Sequence, residues 1–179
     1  MKKKFSIFTV LLFVFTTCTM YALQINVGKL VSNLKIKTPD DKASNIPFLG
    51  EKVLLVLYTD PDVKDVNDPL SDAVREKHYP KEKYVGIGIA NCDDTWLPNS
   101  MIRYAGRQKQ AKYPSSVILV DDDKIVSKAW DLGNCDEIGY VLVIGKDAKV
   151  KFAKAVKNQN ESKAIIASVI STLETEMAK

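Results

Sequence analysis

Histidine occurs once in the chain, at His78, and cysteine three times, at Cys18, Cys92 and Cys135, with no Cys-x-x-Cys pair among them. A zinc or copper site normally recruits more than one His or Cys, so His78, beside Tyr79 and Pro80, reads as a surface residue at a helix end. There is no P-loop, no GxGxxG stretch and no Ser, His and acid set at usable spacing, which removes the usual signatures of phosphate cradling, dinucleotide binding and serine hydrolysis. No repeat, low-complexity tract or Gly/Pro/Ser-rich linker interrupts the sequence. Beyond the first residues, no stretch supplies the roughly 20 apolar residues of a membrane-spanning helix. Nothing in the composition calls for a cofactor or a metal.

What is present begins with the N-terminus. Lys2, Lys3 and Lys4 precede an apolar run from Phe5 to Phe15, then small and polar residues around Ala22. A basic start, a short apolar run and a small residue before the cut describe a signal peptide over residues 1–22, followed by a single domain over 23–179. Cys18 in "FTTCTM" stands where a lipoprotein signal would place its acylated cysteine, but Thr17 precedes it, so a discarded leader is the preferred reading and lipidation the lesser one. The expected destination is export, to the periplasm. Removing the leader lysines takes the formal net charge from +4 to about +1, which calls for neither nucleic acid nor an acidic membrane surface. Arg103, Arg107, Lys109 and Lys112 form a basic run that reads as a solvated helix face.

The order of elements is the strongest signal. Residues 25–52 alternate short apolar stretches with turn residues and read as one or two opening strands plus loops. Val53 to Tyr58 is nearly all apolar, as a strand covered on both faces would be. "DPLSDAVREKH" follows as a helix with Asp68 as N-cap and Pro69 in its first turn. "YVGIGIA", 84 to 90, is a second central strand, and Asn99 or Ser100 caps a helix from Met101 to Lys112 that Pro114 stops. "SSVILVDDDKIVSKAWDL" reads as two strands around an acidic turn at Asp121, Asp122 and Asp123, and "YVLVIGKDAKVKFAKAV" as another hairpin. A helix from Ser162 to Ala178 closes the chain, apolar at Ile165, Ile166, Val169, Ile170 and Leu173. These elements imply an α/β three-layer sandwich with a mixed sheet, in which the loops "TDPDVKDVND" and "NCDDTWLPNS" share one edge.

This order resembles the thioredoxin fold in its peroxiredoxin and TlpA-like version, which adds a hairpin before the last two strands. More closely, "GEKVLLVL", the Asn91-x-Asp93-Asp94 turn, Ser100 with Met101, Tyr113-Pro114 followed by serines, Val120-Asp121 and Ala129-Trp130-x-Leu132 are similar to the YtfJ family of exported bacterial proteins. That family is periplasmic and keeps the fold without the usual redox pair. The resemblance locates the lost redox site. A thiolate needs the helix N-terminus beside it, yet the loop offers Thr59, Asp60, Pro61, Asp62, Val63 and Lys64, and "EIGY" at 137–140 lacks the proline expected there.

The resemblance also places Cys92 and Cys135 in loops on that same edge. A disulfide between them would close a loop of over forty residues and contribute about 3 to 4 kcal/mol. Two unpaired structural thiols are the equal alternative, and a working redox couple the lesser one. Asp60, Asp62, Asp65 and Asp68 lie within nine residues, but without the alternation or glycine of a calcium loop they read as turn and capping residues in a solvated loop. Trp130 is expected to pack under the extra hairpin. Trp96, beside Pro98, is the better candidate for contact with a protein partner, together with Asp60, Asp62, Asp65, Asp93 and Asp94. The leading expectation is a non-catalytic binding or accessory module, with an atypical thiol-disulfide oxidoreductase using Cys92 and Cys135 as the alternative.

Overall fold

The computed structural model describes residues 25–179. The leader at 1–22 and the Cys18 anchor lie outside the described residues. Two short strands, β1 (Lys35–Lys37) and β2 (Ala43–Asn45), precede the central β3 (Val53–Thr59). A 3-10 turn at Pro61–Val63 leads into α1 (Asp68–Arg75), then β4 (Tyr84–Asn91), α2 (Asn99–Lys112) and β5 (Val117–Asp121). The chain ends with α3 (Ile125–Trp130), β6 (Gly139–Ile144), β7 (Val150–Val156), α4 (Gln159–Ala164) and α5 (Ile166–Met177).

Seven strands form one sheet in the order β2-β1-β5-β4-β3-β6-β7. β3, β4 and β5 run parallel, and β6 runs antiparallel to β3 with Thr59 opposite Gly139. The C-terminal ends of the three parallel strands therefore meet the start of β6 along one edge.

Alternation along the strands feeds two layers. Leu54, Val56, Tyr58, Ile87, Ile89, Leu119 and Leu142 join Val126 and Trp130 of α3 and the opening segment on one face. Val53, Leu55, Val141 and Val143 meet Leu70 and Val74 of α1 and Val169, Leu173 and Met177 of α5 on the other. Ile102 of α2 packs beside them on Val120 and Cys92. Helices thus cover both faces, as the three-layer α/β expectation requires. Among the described residues no helix is long and apolar enough to cross a membrane.

Several local expectations need correction. The second strand of the hairpin expected around Asp121–Asp123 is the helix α3. Ile125, Val126, Ala129 and Trp130 recur at helical spacing, and the Asp121 carboxylate accepts from the backbone N–H of Ile125 (2.8 Å) and Val126 (2.9 Å), which starts the helix. Trp130 is fully buried in α3 and donates its indole N–H to the Ser32 carbonyl at 3.1 Å. Neither Asn99 nor Ser100 caps α2; Pro98 holds that position, and Asn99 bonds Asp122 instead. Asn67, not Asp68, is the N-cap residue of α1. The closing helix starts earlier than Ser162, where the Asn158 side chain accepts from Asn160 and Glu161, and it divides at Ile165 into α4 and α5.

Candidate functional site

The edge where β3, β4 and β5 end is closed by a network of buried polar side chains. Asp60 follows β3 directly and is fully buried. One carboxylate oxygen accepts from the Asp62 N–H at 2.9 Å, which caps the 3-10 turn, and the other accepts from the Glu137 N–H at 2.7 Å across the edge. The Asp60 N–H in turn donates to the Ile138 carbonyl at 3.2 Å. Burial pushes the Asp60 carboxyl above the ordinary carboxylate range. The two backbone donors oppose that shift, and the nearby Asp62 and Asp136 charges add to it. The expectation that Asp60 lies in a solvated loop is therefore corrected: it is an internal brace between the loops 60–66 and 133–138.

A second brace lies at the ends of β4 and β5. Asn91, fully buried, donates its amide to the Asp94 carboxylate and accepts from the Asp93 N–H. Asp94 pairs with Lys124 at 2.5 Å, and Asp93 reaches the same ammonium at 3.4 Å. Hydrogen bonding to Asp94 raises the Lys124 pKa. Asp121, also fully buried, accepts the Tyr58 hydroxyl at 3.1 Å besides capping α3, and its carbonyl accepts the Cys92 N–H at 2.9 Å. Burial, with Asp121 next, drives the Tyr58 phenol far above its ordinary pKa. Thr95 donates to Asp62 at 2.8 Å and so joins the loop after β4 to the loop after β3.

Both cysteines are free and buried, so the disulfide expected as one option is not formed. Cys92 packs with Ile102 and Val120 on the α2 side of the sheet, while Cys135 belongs to the cluster around Tyr58, Val126 and Trp130 on the other. Burial, with the Asp122 charge adding, pushes the Cys92 thiol up to about 12. Burial, with Asp94 adding, likewise pushes Cys135 up to about 12. Neither thiol has a cation that would hold it as a reactive thiolate: Arg103 and Lys124 lower these values, but burial outweighs them.

The rim of the edge is acidic. Asp62, Asp65, Asp93, Asp136 and Glu137 are exposed, whereas Asp94 is partly buried. Trp96 stands 83% exposed in the loop that leads to α2. Among the described residues no three His, Cys, Asp or Glu side chains cluster as a metal-ligand set. His78 is exposed, at positive φ just after α1. At the start of β6, Gly139 is closely covered: a β-carbon there would lie 2.5 Å from Val66 and 2.6 Å from the Asn67 amide nitrogen, so one of these side chains would have to shift. Asn67, 4% exposed, lies across this glycine with its amide 3.4 Å from the Thr59 hydroxyl.

Sequence reasoning placed the stretches holding Asn67, Asn91 and Gly139 on this edge without singling out their side chains, and it missed Asp121, Tyr58 and Lys124 as members of it. Only Asp121 carried a local signal, an acid placed ahead of a segment with helical apolar spacing. The others are recruited from strand ends whose meeting depends on the sheet.

A family model described as "Bacterial protein of unknown function (YtfJ_HI0045)" matches residues 49–176, which hold the whole edge. The chain belongs to this family. It is 29% identical over 111 residues to an uncharacterized protein of Haemophilus influenzae, covering 62% of this chain and 59% of that one. It is 31% identical over 93 residues to the uncharacterized protein YtfJ of Escherichia coli, covering 51% of this chain and 49% of that one. The matched stretches thus span about half to three fifths of these curated relatives. Solved structures similar to it include a peroxiredoxin-like protein from Aquifex aeolicus (TM-score 0.57, 12% identity, 83% of this chain and 88% of that one). Another is the exposed lipoprotein thioredoxin of Streptococcus pneumoniae (TM-score 0.55, 14% identity, 78% and 99%). At such identities the likeness is one of fold. The chain is a thioredoxin-like three-layer sandwich, with the Asp60 brace directly after β3.

Proposed function

We propose that this member of the YtfJ family is exported to the periplasm and acts there as a binding or accessory module, without dithiol catalysis. The observation that carries the proposal is the Asp60 brace. The Asp60 carboxylate, in the loop where the resemblance to thioredoxins would put a reactive thiol, is buried and committed to the N–H groups of Asp62 and Glu137. Cys92 and Cys135, buried on different sides of the sheet with raised pKa values, support the same reading. Export is supported by the basic start, the apolar run and Ala22. The binding surface is the rim made by residues 59–68, 91–98 and 133–139, with Asp62, Asp65, Asp93 and Trp96 exposed on it.

Two assays test this reading. Insulin reduction and peroxide consumption, run on the processed chain and on Cys92→Ser and Cys135→Ser variants, should show no turnover at micromolar protein. Activity that disappears in the Cys135→Ser variant would replace the binding module with an atypical thiol-disulfide oxidoreductase. Intact mass of protein recovered from the periplasmic fraction should show a chain without residues 1–22 and without lipid. Recovery of a chain acylated at Cys18, or of the unprocessed chain in the cytoplasm, would remove the localisation.

A further inference from the structure

Half of the large apolar side chains that the described residues leave exposed, Trp96, Met101 and Tyr104 out of six, fall within positions 96–104. Met101 and Tyr104 are neighbours at i, i+3 on α2. Their stripe continues outward through the exposed Ala105, Gln108 and Lys112. α2 has no acidic residue among its fourteen. Arg103 is turned inward, gripping Asp122 with both guanidinium nitrogens at 3.0 and 2.7 Å and reaching Asp41 at 2.8 Å. Arg107 is different. It is exposed, it lies 6.0 Å from the Tyr104 ring, its one bond is to the Pro39 carbonyl at 2.9 Å, and it joins no ion pair among the described residues. Beside it runs an open groove of about 430 Å3 lined by Pro39, Asp40, Arg107, Gln110, Ala111 and Pro114. Lys112 likewise has no carboxylate partner within ion-pair distance among the described residues and carries the positive charge to the end of the helix.

We propose that the outer face of α2, from Trp96 to Lys112, docks an extended acidic segment of a partner protein that carries at least one aromatic or long aliphatic anchor. Exposed Trp, Tyr and Arg are the side chains that dominate protein interfaces, and here Tyr104 and Arg107 lie 6.0 Å apart on α2 with Trp96 in the loop just before it. Arg107 and Lys112, neither of them in an ion pair among the described residues and Lys112 lying 5.0 Å from the Tyr113 ring, set the charge of the occupant. From Met101 to Lys112 the helix rises about 16 Å. An extended peptide spans that in about five residues, so a segment of six to eight covers the face. An anionic lipid surface fits less well, because a helix lying in a membrane interface needs an apolar stripe along its length. On α2 that stripe gives way to Gln108 and Lys112 after two turns. The inference rests on the reading above only in taking the protein to act by binding, and it adds a surface adjoining the acidic rim.

The test uses the processed full chain and fluorescein-labelled octapeptides of Glu and Asp with one Phe or Leu anchor, against matched peptides with Lys for each acid. Trp96 reports directly: Trp130 is buried and bonded, so a solvent-sensitive emission belongs to Trp96. Acidic peptides should shift that emission to the blue and bind more tightly than the Lys set. Affinity should fall severalfold between 50 and 500 mM salt and at least tenfold in Trp96→Ala, Tyr104→Ala and Arg107→Glu, while Arg107→Glu should gain affinity for the Lys peptides. Equal binding of both peptide sets, wild-type affinity in all three variants, no binding at all, or a Trp96 shift only with anionic phospholipid vesicles would overturn the proposal. Asp62→Ala and Asp93→Ala separate it from the rim: binding lost in these and kept in the helix variants would refute the α2 face and leave the rim reading standing.

Discussion

The sharpest consequence of the fold concerns thiol reactivity. Cys92 and Cys135 are 6% and 2% exposed, and burial pushes each thiol up to about 12. Since an ordinary thiol sits near pKa 8.5, the thiolate fraction at neutral pH drops by about a thousandfold, before steric exclusion is counted. With the native protein at pH 7.4, iodoacetamide labelling followed by intact mass should therefore run at least about a thousandfold slower than in the denatured chain. Both sites should be labelled together once the protein is unfolded, with no reductant needed, because the thiols are free. Folding keeps these protons bound above the unfolded pKa, so unfolding releases them. Stability is therefore full below about pH 8.5 and declines as the pH rises toward about 12, by up to about 1.4 kcal/mol per pH unit for each thiol. Either cysteine labelled in the native state within tenfold of the denatured rate would refute the burial argument, as would a denatured chain that takes no label until reduced.

Removing the Asp60 carboxylate with Asp60→Ala strips two charge-assisted bonds from the Asp62 and Glu137 N–H groups. It should cost about 2 to 4 kcal/mol in urea denaturation, offset in part by relief of the desolvated charge; a loss below about 0.5 kcal/mol would deny the brace. Arg103→Ala leaves Asp122, whose side chain is 15% exposed, without its two-pronged partner and should cost about 2 kcal/mol. Hydrogen bonding to Arg103 holds Asp122 below the ordinary carboxylate range, so that stabilisation is present above the unfolded pKa near 3.9 and is lost as the pH falls through the folded value. An acid-unfolding midpoint identical in Arg103→Ala and wild type would sink the assignment. Gly139→Ala places a methyl group 2.5 Å from Val66 and should cost about 1 to 3 kcal/mol by overpacking, with a melting temperature equal to wild type as the contrary result.

The fold was legible because its main elements announce themselves over several residues. Val53–Thr59 is apolar enough to be buried on both faces, Pro69 marks the first turn of α1, and the Gly139–Val156 hairpin has its turn residues in place. α3 was not legible. Its six residues include Ile, Val and Trp, which favour strands, and their helical spacing spans too few turns to outweigh that preference until the carboxylate of Asp121 beneath the first turn joins it. Asp60 shows the same limit at the site. An aspartate before a proline reads as a local turn residue, and half of that reading is true, since it caps the 3-10 turn. Its other partner is the Glu137 N–H, 77 residues away, and it comes within reach only when β6 pairs with β3.

That long-range bond also decides how the edge meets a partner. The Asp60 carboxylate occupies the N–H groups of Asp62 and Glu137, and its own N–H occupies the Ile138 carbonyl. Main-chain groups that a bound strand would need are already satisfied from within, so strand addition at this point would require breaking the brace. The groups left exposed on this edge are side chains, the carboxylates of Asp62, Asp93 and Glu137 and the indole of Trp96, and the binding proposed above would act through them. The proposed recognition would then use side chains at the rim while the interior polar groups stay closed on one another, with Trp96 lying in sequence between the acidic rim and α2.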